Sequence, residues 1–242
     1  MAVTRAVLID LDDTLFDHRA SARQALLAAA QADPALGRCE FEALEARHRV
    51  ILEDLHRRVL DGAMSVDEAR ALRFRTLVAE QGETCDEARL ECITAAYRGA
   101  YQSNWAVLAG APELLAALRA RGVRIAVVTN NIVREQVAKL KRLELDALVD
   151  ELVVSEAVGA SKPDARIFMH ALEAVGASAD EAVMLGDNWT ADVQGAIAAG
   201  IRAVWFNPRR VPRPAGAPGA REIHALEPVE TIADLLTGVS VP

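Results

Sequence analysis

Residues 5–16 read Arg-Ala-Val-Leu-Ile-Asp-Leu-Asp-Asp-Thr-Leu-Phe. A short apolar run with β-branched residues, ending at acids, predicts a parallel strand buried on both faces. The carboxyl end of that strand delivers Asp10 and Asp12. An unpaired charge at the end of such a run is costly, so these acids need partners from elsewhere in the chain.

Beyond Gly110 the pattern alternates between strand and helix. Residues 112–122 (PELLAALRARG) form a helix with Pro112 near its start and Gly122 at its end. VRIAVVT (123–129) is a strand and 132–143 a helix; ELVVS (151–155) is a strand and 164–175 a helix. AVMLGD (182–187) is a strand, 190–199 a helix closed by Gly200, and IRAVWF (201–206) a strand. A short strand near Ile223 and a helix at 228–237 complete the series. Such alternation predicts an α/β fold: a Rossmann-like parallel sheet with right-handed crossovers and helices on both faces.

Between these two parts, residues 17–105 change character. Apolar residues recur at helical spacing, as in FEALEARHRVILEDLHRRVL (41–60), and no strand pattern occurs. Asp33-Pro34, Asp61-Gly62 and Gln81-Gly82 are turn signals, and Ser65-Val66-Asp67-Glu68 has the form of a capping box. The block is too long for a loop within a compact domain. The expected organisation is an α/β core from 1–16 and 106–242, with 17–105 inserted as an all-helical cap.

Ligands of open parallel sheets bind beyond the carboxyl ends of the strands. Four segments reach that edge: Asp10 and Asp12, then Thr129 and Asn130, then Lys162, then Asp187 followed by Asp192. Carboxylate oxygens at close quarters suit a hard cation such as Mg²⁺, which bridges to phosphate. A carboxylate can attack phosphorus, a second can shuttle the proton, and lysine and amide donors hold the charge on the equatorial oxygens. The collection is suited to phosphoryl transfer.

Asp10-Leu11-Asp12-Asp13-Thr14 resembles the first motif, D-x-D-x-T, of the haloacid dehalogenase (HAD) superfamily. Thr129 is similar to its second motif, Lys162 in Ser161-Lys162-Pro163 to its third, and Gly186-Asp187 with Asp192 to its fourth. The resemblance implies Asp10 as nucleophile and metal ligand, and Asp12 as general acid and base whose backbone carbonyl also binds metal. It implies Thr129, Asn130 and Lys162 on the phosphoryl group, Lys162 also pairing with the nucleophile, and Asp187 as a further ligand to Mg²⁺. Asp192 then supports the metal water or Lys162, and Thr14 shapes the first loop. A cap inserted after the first motif implies small soluble phosphomonoesters, nucleotide or sugar phosphate, as substrates. The stretches SEAVGASKPDARIF and GDNWTADVQGAIAAGIRAVWFN are similar to the pyrimidine 5′-nucleotidase and N-acylneuraminate-9-phosphatase subgroups. Because Asp12 is present, dehalogenation is disfavoured. A phosphomutase of the β-phosphoglucomutase kind would share every core residue, and a non-hydrolytic phospho-acceptor module is a further alternative.

The formal net charge of −8 argues against a nucleic-acid partner, whose phosphate backbone wants a basic surface. No stretch approaches the length of a membrane helix. Cys39, Cys85 and Cys92 form no C-x-x-C pair, so neither a disulfide framework nor a zinc site is expected, and the cytoplasm is the natural compartment. Association as monomer or homodimer is compatible with the sequence. Asp13 is expected at the surface, Asp17 as the N-cap of the first inserted helix, and Arg47, Arg49, Arg57 and Arg58 on a solvated face. The five histidines are read as structural or surface residues, and 208–220 (PRRVPRPAGAPGA) as an exposed connection.

Overall fold

The structure is a computed structural model that describes residues 3–60, 62–214 and 219–238. Two compact units divide the chain: Met1–Asp17 with Ala106–Pro242, and His18–Trp105.

The first unit is built on six parallel strands. They are β1 (Ala6–Ile9), β2 (Arg124–Thr129), β3 (Glu151–Val154), β4 (Ala182–Gly186), β5 (Arg202–Phe206) and β6 (Arg221–Ile223). Their order across the sheet is β3-β2-β1-β4-β5-β6. All four residues of β1 are fully buried, as a central strand of a two-sided sheet must be. Ala6 and Leu8 join a cluster with Ala126, Val128, Met184 and Trp205, capped by Phe168 and Leu172. Val7 and Ile9 alternate to the other face and are equally buried.

The register puts Ile9 beside Val127 and Leu185. The residues that follow β1, β2 and β4 therefore emerge together at one edge, on either side of Asp10.

The second unit holds α1 (His18–Ala32), α2 (Pro34–Gly37), α3 (Phe41–Leu60), α4 (Val66–Ala79) and α5 (Glu87–Ser103). Its core includes Leu26, Leu36, Leu44, Ile51, Phe74, Leu77 and Ile93. Ser65 and Glu68 form the capping box at α4, each side chain bonding the other's backbone N–H. Asp33 caps α2 and accepts from the Arg89 guanidinium at 2.6 and 3.0 Å, which holds its carboxyl below the usual carboxylate range. Arg47, Arg49, Arg57 and Arg58 are exposed. The buried cation here is Arg73, whose guanidinium lies over the rings of Phe74 and Tyr97 at 4.8 and 4.5 Å. His48 is buried beside the same rings.

After α5 the chain continues through α6 (Ala111–Ala120), α7 (Val133–Arg142), α8 (Ser155–Val158), α9 (Ala165–Val175), α10 (Gly195–Ala198) and α11 (Val229–Thr237). Two details depart from the sequence-based expectation. Residues 190–199 are not one α-helix: Trp189–Gln194 is a π-helical turn that leads into α10. Asp17 falls with the sheet unit, because its backbone N–H donates to the Ala106 carbonyl at 3.0 Å. Leu108 N–H likewise donates to Leu15 O at 2.9 Å, so the chain leaves and re-enters this unit side by side. Asp61 and residues 215–218 of the Pro/Arg-rich connection lie outside the described residues; 208–214 are exposed.

Candidate active site

Asp10 follows β1 and bonds through its N–H to Leu185 O at 2.9 Å, which continues the ladder into the loop. The next residues turn sharply. The N–H groups of Thr14, Leu15 and Phe16 all point at Leu11 O, and Asp13 takes a φ of 64°. Aspartate tolerates that left-handed conformation better than most residues. Asp13 is half-buried rather than exposed, since its N–H is tied back to Phe16 O at 2.7 Å.

Thr14 is fully buried and bridges two segments: its hydroxyl donates to Asp10 Oδ2 at 3.3 Å and accepts from the Asp187 N–H at 3.1 Å. Lys162 enters from the loop before α9. Its Nζ donates to Asp10 Oδ1 at 2.5 Å and to Val128 O at 2.7 Å, and it pairs with Asp192 Oδ1 at 2.7 Å. Asp192 receives the Asn188 N–H on its other oxygen at 2.9 Å. Asp192 thus has the Lys162 ammonium near one oxygen and the Asn188 N–H on the other, while Asp187 is only half-buried.

Two buried carboxylates share one ammonium. Burial pushes the Asp10 carboxyl up to about 7; Lys162 pulls against this, and the charges of Asp192 and Asp12 add to the rise. Burial works against the Lys162 ammonium, yet the two carboxylates overcome it and hold Lys162 above the ordinary lysine range. The directions agree with a site that carries surplus negative charge. Asp10, Asp187 and Asp192 each offer an oxygen, all within 4.8 Å of one another. An all-oxygen donor set with this charge fits a hard divalent ion.

Thr129 and Asn130 leave the end of β2. The Thr129 hydroxyl is buried and accepts from Gln136 Nε2 at 2.6 Å, which leaves its own proton for another acceptor. The expectation for Asn130 concerns its backbone N–H on the phosphoryl group; its side chain has a separate role. Its amide makes paired 2.8 Å bonds to the N–H and carbonyl of Lys162, fixing the loop that carries the lysine.

Two residues of α7 escaped the sequence reading. Lys139 Nζ donates to Asp12 Oδ1 at 2.5 Å, and Gln136 Nε2 donates to Asp12 Oδ2 at 3.0 Å. Both side chains are buried, at 1% and 0% exposure, where a helix facing a sheet is expected to be apolar. Their spacing with Leu140 and Leu143 on one helical stripe is the signal that marks them in the sequence. Trp189, beside Asp187, packs edge-on against Trp205 at 4.9 Å, and Arg213 lies over its ring at 5.4 Å.

Residues 4–200 match the family model for haloacid dehalogenase-like hydrolases, and the chain belongs to that family. It is 32% identical to a ribulose-1,5-bisphosphate 5-phosphatase of Halopiger xanaduensis over 209 residues, 84% of each chain. It is 36% identical to a phosphoserine phosphatase of Thermus thermophilus over 216 residues, 86% of this chain and 83% of that one. Among solved structures, the HAD-hydrolase YfnB of Bacillus subtilis, crystallised with magnesium, superposes with a TM-score of 0.78. It has 26% identity, covering 97% of this chain and 99% of that one. No helix among the described residues is long and apolar enough to cross a membrane.

Proposed function

We propose that this chain is a Mg²⁺-dependent phosphatase that releases phosphate from a small soluble phosphomonoester through an aspartyl-phosphate on Asp10. The observation that carries the reading is the Asp10 carboxylate. It is buried at a strand end, tied by one oxygen to Lys162, and within ligand reach of Asp187.

In this reading Asp10 attacks phosphorus as the bond to the leaving alkoxide breaks. Asp12 gives its proton to that oxygen. Water then attacks the aspartyl-phosphate, Asp12 takes its proton, and the phosphorus–Asp10 bond breaks to free inorganic phosphate. Lys162 and the Thr129 hydroxyl hold charge on the equatorial oxygens throughout. Asp10, Asp187 and the Asp12 carbonyl would hold Mg²⁺, with Asp192 behind them. When bound, the ion offsets repulsion between an anionic nucleophile and an anionic ester.

The relatives named above act on chemically different small phosphate esters. This favours a shared phosphoryl chemistry with a substrate chosen outside these residues. The test is phosphate release across nucleotides, sugar phosphates, phosphoserine and phosphoglycolate, with Asp10→Asn as control. At least one ester turned over, and a loss of about a thousandfold or more in the variant, is expected. Unchanged turnover in Asp10→Asn removes the nucleophile assignment. Isomerised sugar phosphate without free phosphate would replace hydrolysis with mutase chemistry.

A further inference from the structure

Asp12 carries its acid–base work on a loop, and a loop carboxylate rotates freely unless something restrains it. Both of its oxygens are restrained here, each by a different side chain of α7. Lys139 holds Oδ1 at 2.5 Å and Gln136 holds Oδ2 at 3.0 Å. Gln136 reaches the Thr129 hydroxyl with the same amide nitrogen, at 2.6 Å. One side chain therefore links the carboxylate of the first segment to the threonine hydroxyl of the second.

A merely structural account of α7 meets two difficulties. Burying an ammonium and a carboxamide on the sheet-facing stripe is unfavourable relative to apolar residues of the same volume. Moreover, Gln136 Oε1 is buried without a hydrogen-bond partner among the described residues, so the amide's orientation is dictated by what its nitrogen holds. Lys139 is further seated with its ammonium 4.9 Å from the centre of the Phe16 ring. Phe16 belongs to the same loop as Asp12, so the lysine packs against that loop as well as pairing with it.

We propose that Gln136 and Lys139 are positioning residues that aim the Asp12 carboxylate at the leaving-group oxygen. The proposal rests on the phosphatase reading above. It also predicts a dependence on the leaving group. An alkoxide needs its proton delivered, whereas a nitrophenolate departs without one.

The experiment compares kcat/KM for an alkyl phosphate and for p-nitrophenyl phosphate in wild type, Lys139→Met, Gln136→Met and Asp12→Asn. This quotient reports only steps through aspartyl-phosphate formation, so hydrolysis of the intermediate does not enter. Each α7 variant is expected to lose about ten- to a hundredfold on the alkyl ester and little on the aryl ester. KM is expected to hold while kcat falls. Lys139→Met should add nothing further on the alkyl ester in an Asp12→Asn background, since it acts through Asp12. Equal losses on both esters, or none on either, overturn the clamp while leaving the phosphatase reading intact. Melting curves for both variants separate misfolding from misalignment, and Gln136→Met serves if Lys139→Met does not fold. Absence of turnover by the wild type on every ester would defeat the phosphatase reading, and the clamp with it.

Discussion

The backbone of Gly186 lies directly against the carboxylate of Asp192, with no room for a methyl group between them. A Cβ on Gly186 would overlap Cβ, Cγ and Oδ2 of Asp192. Asp192 is itself locked by Lys162 and by the Asn188 N–H, so it has nowhere to retreat. Gly186→Ala should therefore cost about 1–3 kcal/mol of stability and also displace Lys162 from Asp10. Urea denaturation and phosphate release on the same preparation check both halves. A stable variant with wild-type turnover would contradict the close fit.

Removing Lys162 leaves Asp10 and Asp192 facing each other without a counter-charge. Lys162→Met should destabilise by about 3–5 kcal/mol at neutral pH, with activity lost. Acidification, or a millimolar divalent ion, should restore part of that stability, because either neutralises the abandoned carboxylates. Melting temperatures with and without Mg²⁺ at two pH values read this out.

Because the Asp10 carboxyl titrates near 7, it holds a proton in acid that a cation must displace. Mg²⁺ affinity should rise as pH increases toward about 7 and flatten above it, with proton release on binding. Calorimetry in two buffers of different ionisation enthalpy measures the proton. In Asp10→Asn the dependence should vanish. The same shift has a stability sign. The folded state keeps the proton that the unfolded chain loses near 3.8, so this group's contribution is lost as pH rises through 7. Without metal, Asp10→Asn should accordingly gain in melting temperature over wild type between pH 5 and pH 8.

His48 supplies the opposite slope in the helical unit. Burial, then the charges of Arg73 and His18, keep the ring neutral well below the usual 6.5. The unfolded chain takes up a proton below that value and the folded unit does not. Stability therefore falls with decreasing pH, by at most about 1.4 kcal/mol per unit. His48→Phe preserves the ring contacts and should flatten the profile below pH 6.5. An unchanged profile would reassign the acid sensitivity elsewhere.

What was legible in the sequence followed from periodicity and punctuation. The apolar run before Asp10 marked a two-sided strand, and the Ser65–Glu68 spacing marked a helix start, because both depend on neighbours in the chain. Strand ends also indicated which acids, threonine and lysine gather at one edge. Less legible were the side chains whose role depends on a partner far along the chain. Gln136 and Lys139 lie more than a hundred residues from Asp12, on a stripe that hydropathy assigns to apolar packing. Arg73 and His48 are polar by composition and buried only because an aromatic group surrounds them. The π-helical turn at Trp189–Gln194 shares its apolar spacing with an ordinary helix, and its departure arises where Asp192 is drawn to Lys162.

The adjacent exit and entry of the chain at Asp17 and Ala106 have an evolutionary consequence. A hydrogen bond of 3.0 Å already joins those two points, as it would across a tight turn. Everything between them behaves as a cassette, open to replacement or resizing without any strand acquiring a new neighbour.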